Sequence, residues 1–464
     1  MNSYKKLINN SIIFAVGTLG SKVVSFLLVP LYTYYLSTVE YGTVDLVITT
    51  VNMLIPIVSV SAYEAVLRFT MDKNEEPDVI LSNSLLIALG GFLIAILFYP
   101  VLNYFGVLNG NLIYLYLILI AQMVERILAQ YTRALGKIKL FAANGILLTF
   151  STGILNIIFL VFLNLEVLGY YWALILSYTI SATFLLIASR AYSDFRVSNI
   201  NKPKLKVLLD YALPLIPNSL MWWLINASSR YFITWFISVG ANGLFAVASR
   251  IPSLLNIVYQ VFNQAWQLSA IEEYESNNKS TFYSNIFEIL YVLMFLATSA
   301  MILIVKPMFS YLFASDYYTA WRIVPYLLLG AVFSSFSSYL GSNYVAAKQT
   351  KGVFKTSVYG GIISLLFNIT LIPTLGIVGA GLSSMISFYV TFLIRYHDTQ
   401  QFIQMAIDWK KFYINIGLIF AQVALLYSGI GIYLELVIGI ILLLAQLFIN
   451  QKPILTILKM FLKK

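Results

Sequence analysis

The chain has no cysteine and one histidine in 464 residues, and only 10% of its residues are charged. Without cysteine there are no disulfides, thiolate metal sites, iron–sulfur clusters or cysteine nucleophiles. The single imidazole, His397, excludes any multi-histidine metal site and leaves one candidate for a catalytic triad. It lies in the polar run Arg395-Tyr396-His397-Asp398 between two apolar stretches, which predicts a solvated loop histidine. The scarcity of charge excludes more. A soluble domain carries about 25% charged residues, and burial on folding saturates near roughly 75% of the unfolded surface for chains of roughly 300 residues. With 60% hydrophobic residues and a mean hydropathy of +0.84, the solvent of this chain is lipid. Soluble enzymes and nucleic-acid binders are excluded despite the net charge of +10, because lysine and arginine in a membrane chain report loop sidedness. No G-x-x-x-x-G-K-[ST] pattern is present, which argues against direct ATP hydrolysis. No cofactor is expected.

A span needs about 20 mostly apolar residues. Fourteen candidates occur, at 11–36, 43–67, 79–101, 112–135, 141–163, 169–189, 207–237, 244–265, 284–305, 323–345, 354–373, 376–396, 412–431 and 433–449. They predict an all-α polytopic membrane protein. The first is too long for a signal peptide and lacks a small-residue cleavage pattern. With Lys5 and Lys6 taken as cytoplasmic, alternation collects the basic clusters around Lys73, Arg133, Lys137, Lys139, Arg190 to Lys206, Lys279, Lys348, Lys351, Lys355, Arg395, Lys410, Lys411 and Lys452 on the same side. Only Lys306 and Arg322 fall opposite. That bias predicts an even span count with both termini in the cytoplasm. At the end of the chain Ile454, Ile457, Leu458 and Phe461 recur at helical spacing beside Lys459, Lys463 and Lys464. This reads either as a basic helix on the anionic inner leaflet or as a frayed tail.

The sequence also repeats. A shift of 201 carries Leu36 to Ile237, Ser37 to Ser238 and Gly42 to Gly243; a shift of 212 carries Lys139 to Lys351 and Asn156 to Asn368; a shift of 210 carries Gly169 to Gly379, Ser177 to Ser387 and Tyr178 to Phe388. Six spans return the chain to its starting side, so the copies are parallel. The expected organisation is a six-helix lobe over 1–189, a basic cytoplasmic linker over 190–206, a second six-helix lobe with its following loop over 207–411, and two additional helices with a basic tail over 412–464. Two repeats flanking a pathway is a transporter arrangement.

Ionisable residues inside spans cost about 2.5–3.5 kcal/mol each on insertion scales and ask for a reason. Lys22 stands near the middle of the first span, and Arg230 and Arg250 lie ten residues on either side of Gly240, the expected turn between spans seven and eight. Three cations facing a common interior would bind an anion, phosphate above all, since arginine offers its oxygens a planar fork. The competing reading is that they snorkel or pair with distant acids. Asp45 and Glu288 are candidates for a coupling proton or sodium ion, Asp45 also for a helix cap. Glu64 and Arg68, four residues apart, should pair. Arg126 and Arg133 share a helical face and are candidates for the inner entrance. Gly17, Gly20, Pro30, Pro56, Pro214, Pro217 and Pro252 break spans one, two, seven and eight, the helices that hold the three cations. Tyr32, Tyr34, Tyr35, Tyr41, Trp222, Trp223 and Trp235 suit an interfacial belt, with sugar stacking as a second use.

The run from Phe26 through Pro30, Tyr34, Ser37, Glu40 and Gly42 to Asp45 resembles the opening of bacterial polysaccharide flippases. So do Leu209-Asp210-Tyr211-Ala212-Leu213-Pro214 with Pro217, and Gly243 to Arg250. These are the O-antigen and capsule repeat-unit exporters of the multidrug/oligosaccharidyl-lipid/polysaccharide superfamily, and the likeness extends over essentially the whole chain. The resemblance implies a two-lobed bundle with a cation-lined cavity in the bacterial plasma membrane, which flips undecaprenyl-pyrophosphate-linked oligosaccharide by alternating access. The implied partners are the lipid-linked substrate, the bilayer, and a polysaccharide polymerase with chain-length machinery, with no nucleic acid. A coupled drug antiporter of the same superfamily, a lipid II flippase and a membrane-embedded polymerase are the alternatives.

Overall fold

The structure, a computed structural model, describes residues 20, 22–72, 74–347 and 349–455. Lys5, Lys6, Gly17, Lys73, Lys348 and the basic tail beyond Leu455 lie outside the described residues. The described residues contain helices and turns and no strand. Packing divides the chain into two compact units, Met1–Ala227 and Ser228–Lys464.

The first unit runs α1 (22–35), α2 (Thr38–Val58), α3 (Ala62–Thr70), α4 (Pro77–Leu97), the short α5 (Tyr99–Tyr104), α6 (Leu112–Ala134), α7 (Ile138–Asn156), α8 (Glu166–Ala188), α9 (Ala191–Asp194), α10 (Lys202–Ala212) and α11 (Leu215–Ala227). Within it α6 packs on α2, α3, α7 and α8, while α10 lies on α3 and α4 and α11 on α2. The second unit runs α12 (Ser229–Phe236), α13 (Val239–Ala248), α14 (Arg250–Glu272), α15 (Lys279–Tyr311), α16 (Val324–Ala346), α17 (Thr350–Leu375), α18 (Ile377–Thr399), α19 (Trp409–Tyr427) and α20 (Ile432–Ile449). Its centre is α16, packed on α14, α15 and α18. Gly330, Ala331, Ser335, Gly341 and Ser342 let neighbours approach this helix closely. The α16 span is 72% buried, against 11% for Pro77–Tyr104 and 17% for α20. Since the poorly buried spans are the most apolar, their outward faces belong in hydrocarbon.

Eleven described helices are long and apolar enough to cross a membrane, where fourteen spans were expected. The difference lies at three places. The beginning of the first span lies outside the described residues; the seventh is broken into α10, α11 and α12; and α19 carries Lys410, Lys411, Asn415 and Gln422. Other boundaries moved for local reasons. The second span begins at Thr38 because Ser37 caps α2 and Glu40 closes the capping box on the Ser37 amide at 2.7 Å. Asp45 therefore sits inside the helix and does not cap it. The ninth continues past Lys306 and Pro307 to Tyr311, since Lys306 is held by Glu435 at 2.8 Å and stands over the Trp321 ring. His397 is exposed as anticipated, but in the last turn of α18. Arg395, assigned to a loop, is buried in that helix and donates to Thr356 Oγ1, the Ser337 carbonyl and Ser357 Oγ at 2.8–2.9 Å. Neutral oxygens solvate this guanidinium in place of water.

Residues matched by the repeat play matching parts. Ser37 and Ser238 cap α2 and α13 from extended backbone. Asn156 and Asn368 are fully buried, and Ser177 and Ser387 each donate to the carbonyl four residues earlier. At Gly379 the preceding helix leaves no room, since an added Cβ would lie 2.0 Å from the Leu371 carbonyl oxygen, and at Gly169 it would crowd Phe159 Cβ and Leu165 Cβ at 3.1 Å. The matched residues thus serve the same local purposes in both units.

The basic segment 190–206 is strapped to the first unit. Arg196 N donates to Ser82 Oγ at 3.0 Å, Asn83 Nδ2 to the Asn199 carbonyl at 2.9 Å, and Asn201 N to Asn83 Oδ1 at 3.0 Å. Tyr131 OH donates to Asp194 at 2.8 Å, and Lys204 pairs with Glu75. Ser82 and Asn83 are fully buried, and leaving such groups unpaired costs about 1–3 kcal/mol each. Substituting Asn83→Ala should therefore release the strap, and trypsin should cut at Arg196 about tenfold faster than in the wild type. Unchanged cleavage would show that Asn83 does not hold it.

Candidate functional site

Helix breaks and cations coincide in both units. Pro56 removes one donor from the end of the α2 ladder, and the helix stops at Val58. Val60 and Ser61 then both adopt left-handed φ values of 51°. Neither is glycine, and such residues store about 1–3 kcal/mol each. The bend is held by Ser61 N donating to the Pro56 carbonyl at 2.8 Å and Ser59 Oγ donating to the Ile55 carbonyl at 2.6 Å. It delivers Tyr63 at the start of α3. Arg126 of α6 places its guanidinium 4.7 Å from the centre of that ring, and the hydroxyls of Ser61 and Ser219 lie in reach of the Tyr63 hydroxyl. Arg126 is half-buried, and among the described residues no acid approaches it within 4.0 Å. Glu125 points elsewhere and is bonded to Asn144. Arg133, seven residues on, is exposed beside Phe141.

In the second unit the seventh span breaks at Ser228. Asn368 ties both serines there, accepting from Ser229 Oγ at 3.0 Å and donating to Ser228 Oγ at 3.3 Å. Arg230 follows at once, half-buried, with its guanidinium 5.5 Å from the Phe245 ring on α13. Arg250 opens α14 and is also half-buried. The turn between α12 and α13 falls at Ile237–Ser238, with Gly240 already helical. At about 1.5 Å per residue, Arg250 stands about 7.5 Å further from the turn than Arg230. Lys22 is half-buried on α1 in the first unit. Asp45 is buried on α2.

Other charges resolve into structural partnerships. Arg68 reaches Asp72 at 4.0 Å and not Glu64, because Glu64 is exposed in the first turn of α3, where water and the helix dipole satisfy it. Glu288 accepts from Lys411 of α19 at 2.8 Å and lines a cavity of about 380 Å³ together with Ser280, Ser284, Asn285, Gln404 and Asp408. Tyr32 and Tyr41 are core residues, their rings 6.0 Å apart, and Trp223 donates to the Thr49 carbonyl at 3.0 Å. Tyr34, Trp222 and Trp235 are exposed. The Glu288–Lys411 pair joins residues far apart in sequence and leaves no local signal.

Long apolar helices interrupted at polar, cation-bearing breaks define a polytopic membrane protein. The chain belongs to the polysaccharide biosynthesis protein family, whose model matches residues 7–267, more than half of its length. No curated protein matches the sequence. Among solved structures, an inward-facing multidrug resistance MATE family transporter of the MOP superfamily is similar over 85% of this chain and 100% of its own, at 17% identity and a TM-score of 0.68. The lipid II flippase MurJ, in an inward closed conformation, matches 96% of this chain and 100% of its own, at 14% identity and a TM-score of 0.68. A Vibrio cholerae MATE transporter, VcmN, matches 86% of this chain at 12% identity and a TM-score of 0.54. The fold is that of these transporters and of this flippase.

A charge exchange separates the two readings of Glu288. If the pair with Lys411 is structural, Glu288→Lys alone should lower thermal stability by about 1 kcal/mol, and adding Lys411→Glu should restore both melting temperature and transport. Restored stability without restored transport would mark Glu288 as a coupling acid.

Proposed function

We propose that the protein flips undecaprenyl-pyrophosphate-linked oligosaccharide repeat units from the inner to the outer leaflet of the bacterial plasma membrane, by alternating access, for capsule or O-antigen synthesis. The observation that carries this reading is the family match over residues 7–267, the part of the chain that contains Lys22, Arg126, Arg230 and Arg250. A charged, hydroxyl-rich head group must cross about 30 Å of hydrocarbon, so its diphosphate needs cations at membrane depth. Lys22, Arg230 and Arg250 fill that role, and Arg126 and Arg133 receive the head group at the inner entrance. Arginine suits diphosphate because its fork meets two oxygens at once. Lipid II flippases and drug antiporters share the fold; the polysaccharide family favours the repeat-unit cargo over both.

Cytoplasmic termini agree with the one-sided distribution of lysine and arginine. The flipped product would pass to a polymerase and chain-length machinery on the outer leaflet. Asp45 and Glu288 are the acids first considered for ion coupling, and the lysine beside Glu288 favours a structural part for it.

Lys22→Ala, Arg230→Ala and Arg250→Ala, each made at normal protein levels, should reduce surface polysaccharide. Losing one charge-assisted contact of about 1.5–3 kcal/mol corresponds to a rate loss of about tenfold or more. Lipid-linked repeat units should accumulate in the cell. Normal export from all three would refute the cationic site.

A further inference from the structure

Three acids among the described residues are buried: Asp45, Glu125 and Glu435. Glu435 is neutralised by Lys306. Glu125 is different. It projects from α6 into the interior of the first unit, and among the described residues no lysine or arginine lies within 4.0 Å of it. Its neighbours are Asn144 of α7, 3% exposed, and Ser181 of α8, fully buried. An isolated carboxylate in such surroundings is costly, and a neutral acid is not.

The hydrogen bonds make the point by counting protons. Asn144 Nδ2 lies 2.8 Å from Glu125 Oε1, Ser181 Oγ lies 3.1 Å from the same oxygen, and Ser181 Oγ lies 2.7 Å from Asn144 Oδ1. These three contacts form a closed triangle and each needs a hydrogen. Asparagine directs one amide hydrogen into it, and the serine hydroxyl supplies one. A carboxyl hydrogen supplies the third and spares the serine hydrogen from being shared between two acceptors. Exchanging the asparagine oxygen and nitrogen changes the direction of donation but not the count.

The surrounding charges leave this intact. Arg126 follows Glu125 on α6 but turns to Tyr63 of α3, where Glu64 is exposed. From α8 the facing titratable group is Tyr178. The one charged residue of α7 is Lys139, exposed at its beginning, and α2 contributes the buried Asp45. At an offset of 212 from Glu125 and Asn144, the second unit has Ser337 and Thr356, and there the group they hold is Arg395. The repeat thus keeps a guanidinium that never titrates in one unit and a carboxyl in the other.

We propose that Glu125 is a proton-binding site of the first unit, carrying a proton at neutral pH in this conformation and releasing it when α6, α7 and α8 shift. In the release step the carboxyl O–H bond breaks, the proton passes to water, and the carboxylate remains. Use of this proton to drive a transport cycle rests on the exporter reading above.

The test is infrared spectroscopy of the full-length protein in a bilayer, titrated from acid to alkaline pH. The wild type should show at neutral pH the carbonyl band of a protonated carboxylic acid, lost at alkaline pH, and Glu125→Gln should lack it. Glu125→Gln should fold like the wild type, because its amide carries the hydrogen that the triangle needs, yet lose polysaccharide export. Identical neutral-pH bands in the two proteins, failure of Glu125→Gln to fold, or wild-type export from it would each overturn the proposal. The band is read without any cargo. A strain lacking the whole protein that still made normal surface polysaccharide would instead refute the exporter reading and leave the spectroscopic result standing.

Discussion

In hydrocarbon a polar group finds no water, so each must be satisfied by the protein or be reserved for a ligand. That constraint orders everything else in this molecule. Its polar residues inside spans fall into two sets. One is closed upon itself: Arg395 with Thr356, Ser337 and Ser357, Lys306 with Glu435, and Asn368 with Ser228 and Ser229. The other stands half-buried beside helix breaks: Arg230 and Arg250 follow breaks in their own segments, and Arg126 of α6 faces Tyr63 next to the bend between α2 and α3. Aromatic faces support Arg126 and Arg230. Arg126, which no acid among the described residues approaches within 4.0 Å, is held in a way that suits an anion.

The breaks have a second consequence. A continuous helix resists bending, whereas Val60 and Ser61 concentrate a sharp turn in two strained residues. The connection between the repeats obeys the same economy. Residues 190–206 are fastened to α4 and α6, so the passage from one unit to the next is displaced to Ala227–Ser228, immediately before Arg230.

Much of this was legible in the amino-acid order. Apolar runs gave most of the spans. The matches at Ser37 and Ser238, Asn156 and Asn368, and Gly169 and Gly379 were visible as a repeat because close packing and buried hydrogen bonds tolerate few residue types. Prolines 56 and 214 announced broken helices. What stayed hidden depended on partners distant in sequence. Lys306 looked like a loop residue until Glu435 stood beside it, Arg395 looked solvated until α16 and α17 supplied its oxygens, and Glu125 was overshadowed by the adjacent Arg126. Spacing along a helix can say which residues share a face; it cannot say what the next helix brings to that face.

The central claim is that cations at helix breaks select a diphosphate on a lipid. Native mass spectrometry of the purified protein, offered undecaprenyl pyrophosphate and undecaprenyl phosphate in competition, tests it most directly. The account predicts preferential retention of the diphosphate, with the preference diminished when Arg126 or Arg230 is replaced by glutamine. Equal binding of the two lipids, or a preference unaffected by those replacements, would contradict it.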